Sequence, residues 1–203
     1  MPDTRTPIDF YFDFSSPYGY LAATRINALA ARHQRRVNWR PILLGPMFKA
    51  AGTAPLLAIP LKGPYASRDI PRTARFMKIP YKHPETFPIG TQNAARAFYW
   101  LNDRDPVKAH QFAAACYATY FAQGIDISSA EKVADIAASL GENRAQVLAA
   151  LAEPAVKERL KNEVDAALAK GVFGSPYFIV DGEPFWGNDR LDQVDAWLAT
   201  GGF

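Results

Sequence analysis

The chain has 203 residues, of which 49% are hydrophobic, 13% aromatic and 21% charged, a composition that indicates a globular protein and excludes a disordered one. Its single cysteine, Cys116, excludes an internal disulfide, a cysteine-based zinc site and a Cys-x-x-Cys redox pair. The formal net charge of +3, without a basic patch or a binding motif, predicts no nucleic-acid partner.

No segment of the sequence predicts export or insertion into a membrane. Residues 1–7 are short and polar, and the apolar run that follows contains Asp9 and Asp13, whereas a secretory signal has an unbroken apolar stretch after positive charge. No window reaches the roughly 18 consecutive apolar residues that a membrane-spanning helix needs. We therefore expect a cytoplasmic protein without a membrane partner.

The start of the chain predicts a β-α-β unit. Residues 8–14 alternate between apolar and other side chains with the period of two that is typical of a strand. A helix over residues 18–33 follows, because Ser16 and Pro17 have the chemistry of a helix cap and a first helical turn. Residues 37–44 have the composition of a second strand.

The middle of the chain predicts a loop and then a series of helices. Residues 45–65 are rich in glycine and proline, which predicts a long irregular loop with one short helical piece near residues 47–51. Alanine-rich helical patterns then cover residues 70–78, 91–103, 106–122, 129–139, 143–150 and 153–169. The candidate caps of these helices are Thr91, Asp105, Ser129 and Glu153.

The end of the chain returns to strands. Tyr177–Val180 is a short apolar strand, and the Asp181-Gly182 pair after it is a hairpin signal before the partner strand at residues 185–186. Asn188 and Asp189 then stand where they can cap a last helix over residues 190–199. The simplest fold class is α/β, with one domain of residues 7–45 plus 171–203 that is split by an all-helical insertion of residues 46–170.

Two segments have the pattern of a functional site. Ser15 or Ser16 lies at a strand–turn–helix junction, where free N–H groups favour an anion, although a plain helix cap is the favoured interpretation of the local pattern alone. Ser175 and Pro176 enter a strand, where a cis-proline leaves the preceding backbone free to pair with an extended ligand. The alternative, a trans-proline that begins an edge strand, is commoner in general.

Together these segments resemble the DsbA type of thioredoxin fold, whose first helix begins at a Cys-x-x-Cys active site. The corresponding residues 16–19 read Ser-Pro-Tyr-Gly, so both cysteines are absent. A serine there is similar to kappa-class glutathione transferases and, more closely, to 2-hydroxychromene-2-carboxylate isomerases, whose opening Asp-Phe-Tyr-Phe-Asp-Phe-x-Ser-Pro matches residues 9–17. Residues 172–176 and 185–191 also match these isomerases, so the resemblance spans nearly the whole chain.

The resemblance implies that the protein binds glutathione as its cofactor. Ser16 would hydrogen-bond the glutathione sulfur and, with the start of the helix, lower the pKa of its thiol. The backbone of Ser175, before a cis-Pro176, would pair with the cysteinyl part of the tripeptide. Cys116 is expected to be a buried small hydrophobic residue outside this chemistry.

The resemblance also implies residues for the two ends of the tripeptide. Asn188 and Asp189 would hold the γ-glutamyl group, although a helix cap is the alternative for this pair. Lys62 would meet the glycyl carboxylate, although a single lysine on a loop is usually just solvated. Thr53 lies near the position where kappa-class enzymes have an asparagine, so this sequence departs from the family at that contact.

The implied reaction is the cis–trans isomerisation and ring opening of a small aromatic keto acid by reversible addition of glutathione thiolate. Two alternatives stay open, a kappa-type glutathione transferase or peroxidase and a non-catalytic DsbA-like binding protein. The family precedent implies a homodimer. A metal site is not expected, because His33, His83 and His110 are far apart and lack ligand spacing.

Overall fold

The computed structural model describes residues 6–203, so most of the segment considered above as a targeting signal lies outside the described residues. The described chain has one four-stranded sheet, whose strands lie in the order β2-β1-β3-β4. β1 pairs in parallel with β2 and antiparallel with β3, and β3 and β4 form an antiparallel hairpin. The strands are β1 (Ile8–Phe12), β2 (Val37–Pro41), β3 (Tyr177–Val180) and β4 (Glu183–Trp186).

Helices make up most of the remaining described chain. None of those within residues 6–203 is long and apolar enough to cross a membrane. They are α1 (Pro17–Ala23), α2 (Ile26–Arg32), α3 (Leu44–Ala50), α4 (Lys62–Phe76), α5 (Gln92–Asn102), α6 (Pro106–Tyr117), α7 (Ala130–Ser139), α8 (Arg144–Ala152), α9 (Pro154–Ala169) and α10 (Leu191–Thr200). The element order β-α-β, helices, β-β-α agrees with the fold that the sequence predicts.

Several boundaries differ from the sequence-based prediction: the strands predicted over residues 8–14 and 37–44 end at Phe12 and Pro41, and three helical segments also differ. The helix predicted over residues 18–33 is divided into α1 and α2, because the hydroxyl of Thr24 donates to the carbonyl oxygen of Leu21 and ends α1 there. The short helical piece predicted near residues 47–51 is present as α3, whereas the loop predicted over residues 45–65 ends early because α4 begins at Lys62, with Pro64 in a first helical turn where its missing N–H is not needed. The helix predicted to reach residue 122 ends as a π-helical turn, Ala118–Ala122.

Aromatic rings join the sheet to the helices at the end of β1. Phe12 is fully buried, and its ring centroid lies 6.0 Å from that of Phe98 on α5 and 5.8 Å from that of Tyr117 on α6. Phe14, just beyond the strand, also packs on Tyr117, with ring centroids 5.4 Å apart. The hydrophobic core therefore continues from the sheet into the helical segment, and the division into two domains stays a prediction.

Candidate active site

Ser16 occupies the cap position at the start of α1. Its hydroxyl oxygen accepts a hydrogen bond from the N–H of Gly19, and its hydroxyl donates to the main-chain oxygen of Ser175, both at 3.0 Å. Pro17 takes the first helical position, as the sequence predicts. The capping interpretation is therefore correct for Ser16, but the same hydroxyl also contacts the second segment that the sequence singles out.

The proline loop before β3 is held on both of its sides. The peptide bond between Ser175 and Pro176 is cis, the form that the resemblance implies. The side-chain oxygen of Ser175 accepts the N–H of Asp13 at 3.0 Å, and the carbonyl oxygen of Pro176 accepts the N–H of Gly187 at 3.0 Å. The loop is thus attached to the end of β1 on one side and to the turn after β4 on the other.

The first turn of α1 approaches this loop so closely that residue 19 must be small. A Cβ atom on Gly19 would lie 2.7 Å from the hydroxyl oxygen of Tyr117 and 2.9 Å from the side-chain oxygen of Ser175. Both distances are shorter than an ordinary carbon–oxygen contact. Glycine at this position therefore lets α1, α6 and the proline loop meet around Ser16.

Asn188 and Asp189 belong to a short 3₁₀ turn that precedes α10, and neither caps that helix with its side chain. Asn188 is only 6% exposed; its amide nitrogen lies 3.4 Å from the sulfur of Met77, and its amide oxygen has no hydrogen-bond partner among the described residues. Asp189 is exposed and pairs with Arg190 at 2.7 Å. A buried oxygen without a partner costs about 1–3 kcal/mol.

Lys62 is the first residue of α4 and is exposed. It lies at a cleft of about 370 Å³ that Tyr18 and Tyr65 also line. Tyr18 follows Ser16 by two residues, so this cleft adjoins the first turn of α1. The structure thus joins Ser16 to Ser175 by a hydrogen bond and Ser175 to Pro176 by a cis peptide bond, whereas Lys62 is related to α1 only through the cleft that it lines together with Tyr18.

Asp13, which the sequence analysis did not select as a site residue, lies at the centre of this region. One carboxylate oxygen accepts the N–H of Ser15 and the hydroxyl of Thr91, both at 2.8 Å, and the other accepts the N–H of Leu44 at 2.7 Å. Burial raises the pKa of the Asp13 carboxyl, and these hydrogen bonds only partly oppose the effect. Thr91, predicted as a cap of α5, makes no capping bond because its hydroxyl serves Asp13.

The main chain of Asp13 also connects the elements around Ser16. Its carbonyl oxygen accepts the N–H of Ser16 and the hydroxyl of Tyr117, both at 2.9 Å. Burial raises the pKa of Tyr117 well above its ordinary value, so this phenol stays a donor. The sequence signal for Asp13 is a single acidic residue inside an otherwise apolar run, directly before Ser-Ser-Pro.

Cys116 and the histidines lie outside this arrangement. Cys116 is buried on α6, and burial raises the pKa of its thiol, so it is a poor nucleophile. His33 pairs with Asp195 at 2.7 Å, while His110 packs beside Trp39 with ring centroids 5.1 Å apart. Within residues 6–203, no three histidine, cysteine or acidic side chains are grouped as a metal site would require.

Comparison with known proteins shows which family the chain resembles over its length. Residues 7–199 match the family model of the DSBA-like thioredoxin domain. A 2-hydroxychromene-2-carboxylate isomerase of Sphingobium xenophagum is 31% identical over 194 residues, which cover 94% of this chain and 97% of that protein. A glutathione S-transferase kappa 1 of Rattus norvegicus is 25% identical over 199 residues, which cover 92% of this chain and 88% of that protein.

Solved structures confirm the fold that the sequence predicts. A 2-hydroxychromene-2-carboxylate isomerase has a TM-score of 0.86 at 27% identity and covers 96% of this chain and 95% of its own. The cytosolic disulfide reductase DsbM of Pseudomonas aeruginosa with GSH has a TM-score of 0.66 at 16% identity and covers 96% of each chain, which shows a shared fold. The chain therefore belongs to the DSBA-like thioredoxin family, in the group of the 2-hydroxychromene-2-carboxylate isomerases.

Proposed function

We propose that this protein is a glutathione-dependent isomerase of the 2-hydroxychromene-2-carboxylate type. The observation that carries the proposal is the hydrogen bond from Ser16 to the main-chain oxygen that precedes a cis-proline. A hydroxyl at the helix start cannot exchange disulfides, and Cys116, the single cysteine, is buried elsewhere. A hydroxyl can, however, donate a hydrogen bond to the sulfur of a bound thiol.

The residues around Ser16 fit glutathione. Ser175 offers main-chain groups for the cysteinyl part, beside the Ser16 hydroxyl. The exposed carboxylate of Asp189 supplies a charge opposite to that of the γ-glutamyl ammonium, and Asn188, whose buried amide oxygen has no partner among the described residues, precedes it in the chain. Lys62 would pair with the glycyl carboxylate. This set supplies partners for the ammonium and for one of the two carboxylates of the tripeptide.

Bound glutathione supplies a thiolate that adds reversibly to a conjugated carbon of the substrate, so that the former double bond can rotate. The part of Ser16 is to hold the sulfur as an anion. Its one hydroxyl proton points to the Ser175 oxygen in the described structure. When the hydroxyl rotates so that it donates to a bound thiolate, a neutral hydrogen bond is exchanged for a charge-assisted one, which is roughly twice as strong. The Ser175 oxygen then becomes available to accept an N–H of the ligand.

The second candidate function is that of a kappa-type glutathione transferase, which the similarity to the rat enzyme favours. The two functions differ in the fate of the thiol. An isomerase changes the ultraviolet spectrum of 2-hydroxychromene-2-carboxylate with catalytic glutathione and leaves the glutathione concentration constant. A stable conjugate, formed with consumption of glutathione, would support the transferase instead, and no reaction of either kind would leave a binding protein.

The remaining features of the proposal concern the substrate, the assembly and the compartment. We propose a small aromatic carboxylate as the substrate, because the similar isomerase from Sphingobium xenophagum is named for one. We also propose a homodimer in the cytoplasm. Light scattering on the purified protein tests the assembly, since a monomeric mass of 22.4 kDa would contradict it.

A further inference from the structure

Another cavity lies along the outer edge of the sheet, where β2 meets residues of α2, α5, α6 and α9, and has a volume of about 540 Å³. We propose that this cavity, named the β2 groove below, binds a short acidic peptide segment that pairs with β2 and places its carboxylates among arginines. None of the described residues that line the groove hydrogen-bonds Ser16 or Ser175. The inference therefore does not rest on the proposed function.

The main chain of β2 has hydrogen-bonding groups that the sheet does not use. β2 is an edge strand, so only one of its sides pairs with another strand. The bond from the N–H of Ile8 to the oxygen of Arg36 sets a parallel register in which the even-numbered residues of β2 face β1. Val37 and Trp39 face outwards, and their N–H and C=O groups bond to no other described residue. These groups are therefore open along the floor of the groove.

The free edge of β2 is short, because α5 closes it at one end. The hydroxyl of Tyr99 donates to the carbonyl oxygen of Pro41 at 2.9 Å, and Pro41 has no N–H, so β2 offers no open group beyond Trp39. A partner that bonds to both Val37 and Trp39 needs about three residues in extended form, a length of roughly 10 Å. Donors and acceptors alternate along this edge, which suits a peptide backbone better than a bare anion.

The charged side chains of the groove are mostly positive. Those among its described lining residues are Arg35, Arg36, Arg40, Arg159 and Glu163. Glu163 is shared, because Arg40 pairs with it at 3.3 Å and Arg159 pairs with it as well. The Nη2 of Arg40 and the Nε of Arg159 have no acceptor among the described residues. Both atoms are therefore available to a carboxylate of a ligand. The other carboxylates that pair with these arginines lie outside the lining: Asp9, Asp103 and Asp181.

The same charges disfavour a second copy of this chain as the occupant of the groove. In a symmetric dimer the same surface meets itself, so two β2 edges would pair with each other. Neighbouring strands are only about 4.8 Å apart, and the arginines of both copies would then face one another at close range. An extended segment with glutamate or aspartate side chains meets the same edge without this repulsion. Charge complementarity thus selects an acidic peptide.

Calorimetry with the peptide acetyl-Glu-Val-Glu-Val-Glu-amide tests the proposal on the full chain. We expect saturable binding with a dissociation constant below about 1 mM. The same peptide with glutamine in place of glutamate keeps the backbone but loses the charges, and should bind about tenfold more weakly. The peptide methylated at every main-chain nitrogen keeps the charges but loses the donors that pair with β2, and should not bind measurably. Succinate, an anion without a peptide backbone, should not displace the peptide.

Variants of the chain separate the two kinds of contact. Val37→Pro removes an outward N–H and no ladder bond, because proline is tolerated at the first residue of an edge strand, and should weaken binding of the glutamate peptide about fivefold. Arg159→Gln should weaken it about tenfold. Arg144→Gln is the matched control, because Arg144 is similarly exposed and pairs with Asp135 outside the groove. It should leave the affinity within about twofold.

Four results would overturn the inference, and none of them touches the proposed function. They are no binding of the glutamate peptide, equal affinity for the glutamine peptide, binding that survives methylation, and displacement by succinate, which would indicate a plain anion site. If the peptide does not bind and Val37→Pro converts a dimer into a monomer in light scattering, a second copy occupies the edge instead. The methylated peptide needs no variant, so it decides the question even if Val37→Pro does not fold.

Discussion

The hydroxyl of Ser16 donates to the main-chain oxygen of Ser175, which lies 3.0 Å away and 159 residues later in the chain. This bond attaches the start of α1 to the cis-proline loop and orients both. It also means that Ser16 must redirect its single proton to hold a sulfur. The residue therefore has two tasks, a structural one at the helix cap and a chemical one towards the ligand, and different substitutions can separate them.

Ser16→Ala removes both tasks. We expect a loss of about 1 kcal/mol in the free energy of unfolding, because the helix loses its cap. We expect the isomerisation rate to fall by about 10²-fold, the usual effect of removing one donor to a developing anion. Urea unfolding and the spectrophotometric assay measure the two effects. Ser16→Thr, which keeps a hydroxyl, is the control, and a Ser16→Ala variant with full activity would exclude the proposed role.

Asp13→Asn is expected to destabilise the protein by about 1–3 kcal/mol, because it turns a buried acceptor into a donor. The two carboxylate oxygens accept from Ser15, Thr91 and Leu44, so an amide NH₂ must face at least one of these donors. Thr91→Val instead removes one of the three donors, and it should lower the free energy of unfolding by less than Asp13→Asn does. Denaturant titrations measure both variants. An Asp13→Asn variant as stable as the unmodified protein would show that the carboxylate is not needed to join these elements.

Asn188→Leu should separate stability from binding. It replaces a side chain whose buried oxygen has no partner in the described structure, so the free energy of unfolding should stay constant or rise by about 1 kcal/mol. The affinity for glutathione should fall about tenfold, the value of roughly one hydrogen bond to a charged group. Calorimetry and thermal unfolding measure the pair of effects. A loss of stability with unchanged affinity would instead assign Asn188 a purely structural role.

The Asp69 network should make stability depend on pH in the acid range. Burial acts to raise the pKa of Asp69, but hydrogen bonds from Tyr18, Arg72 and Tyr65 hold it below its ordinary value of 3.8. The stabilisation is therefore fully present above 3.8 and is lost as the pH falls through the lowered pKa. The Asp69→Asn variant lacks this carboxylate, so its free energy of unfolding should be lower than that of the unmodified protein near neutral pH. This difference should disappear at low pH. Urea titrations across the acid range measure it, and a deficit independent of pH would contradict the ionic role.

Leu61→Gly and Leu61→Ala together test the strain in the γ-turn at Leu61, which is closed by the hydrogen bond from the N–H of Lys62 to the oxygen of Pro60. Both remove the exposed side chain, but only glycine adopts the positive φ of 65° without a steric penalty. We expect the glycine variant to be more stable than the alanine variant by about 1 kcal/mol, although glycine is the poorer residue in ordinary positions. Thermal unfolding measures the difference. A more stable alanine variant would show that the turn is not strained.

The sequence alone was sufficient for the elements that depend on near neighbours. Ser16 and Pro17 cap and begin α1 as predicted, since capping joins residues only three positions apart. The hairpin of β3 and β4 turns at Asp181 and Gly182, both of which have positive φ, as the turn chemistry predicts. The order of strands and helices was also predicted from such local patterns, whereas the thioredoxin-like fold was predicted from the resemblance. The glutathione residues, which come from the resemblance, stay predictions.

The tertiary structure alone decided how the site is held together. The partners of Asp13 come from Leu44, Thr91, Tyr117 and Ser175, which lie 31, 78, 104 and 162 residues away in the chain. No periodicity reports such contacts, because a buried polar group takes whichever partners the packing of helices and strands brings to it. For the same reason, the start of α4 was predicted as a loop, since the glycines and prolines of residues 45–65 indicate irregular structure until packing places them. Local chemistry thus determined where Ser16 stands, and packing determined what surrounds it.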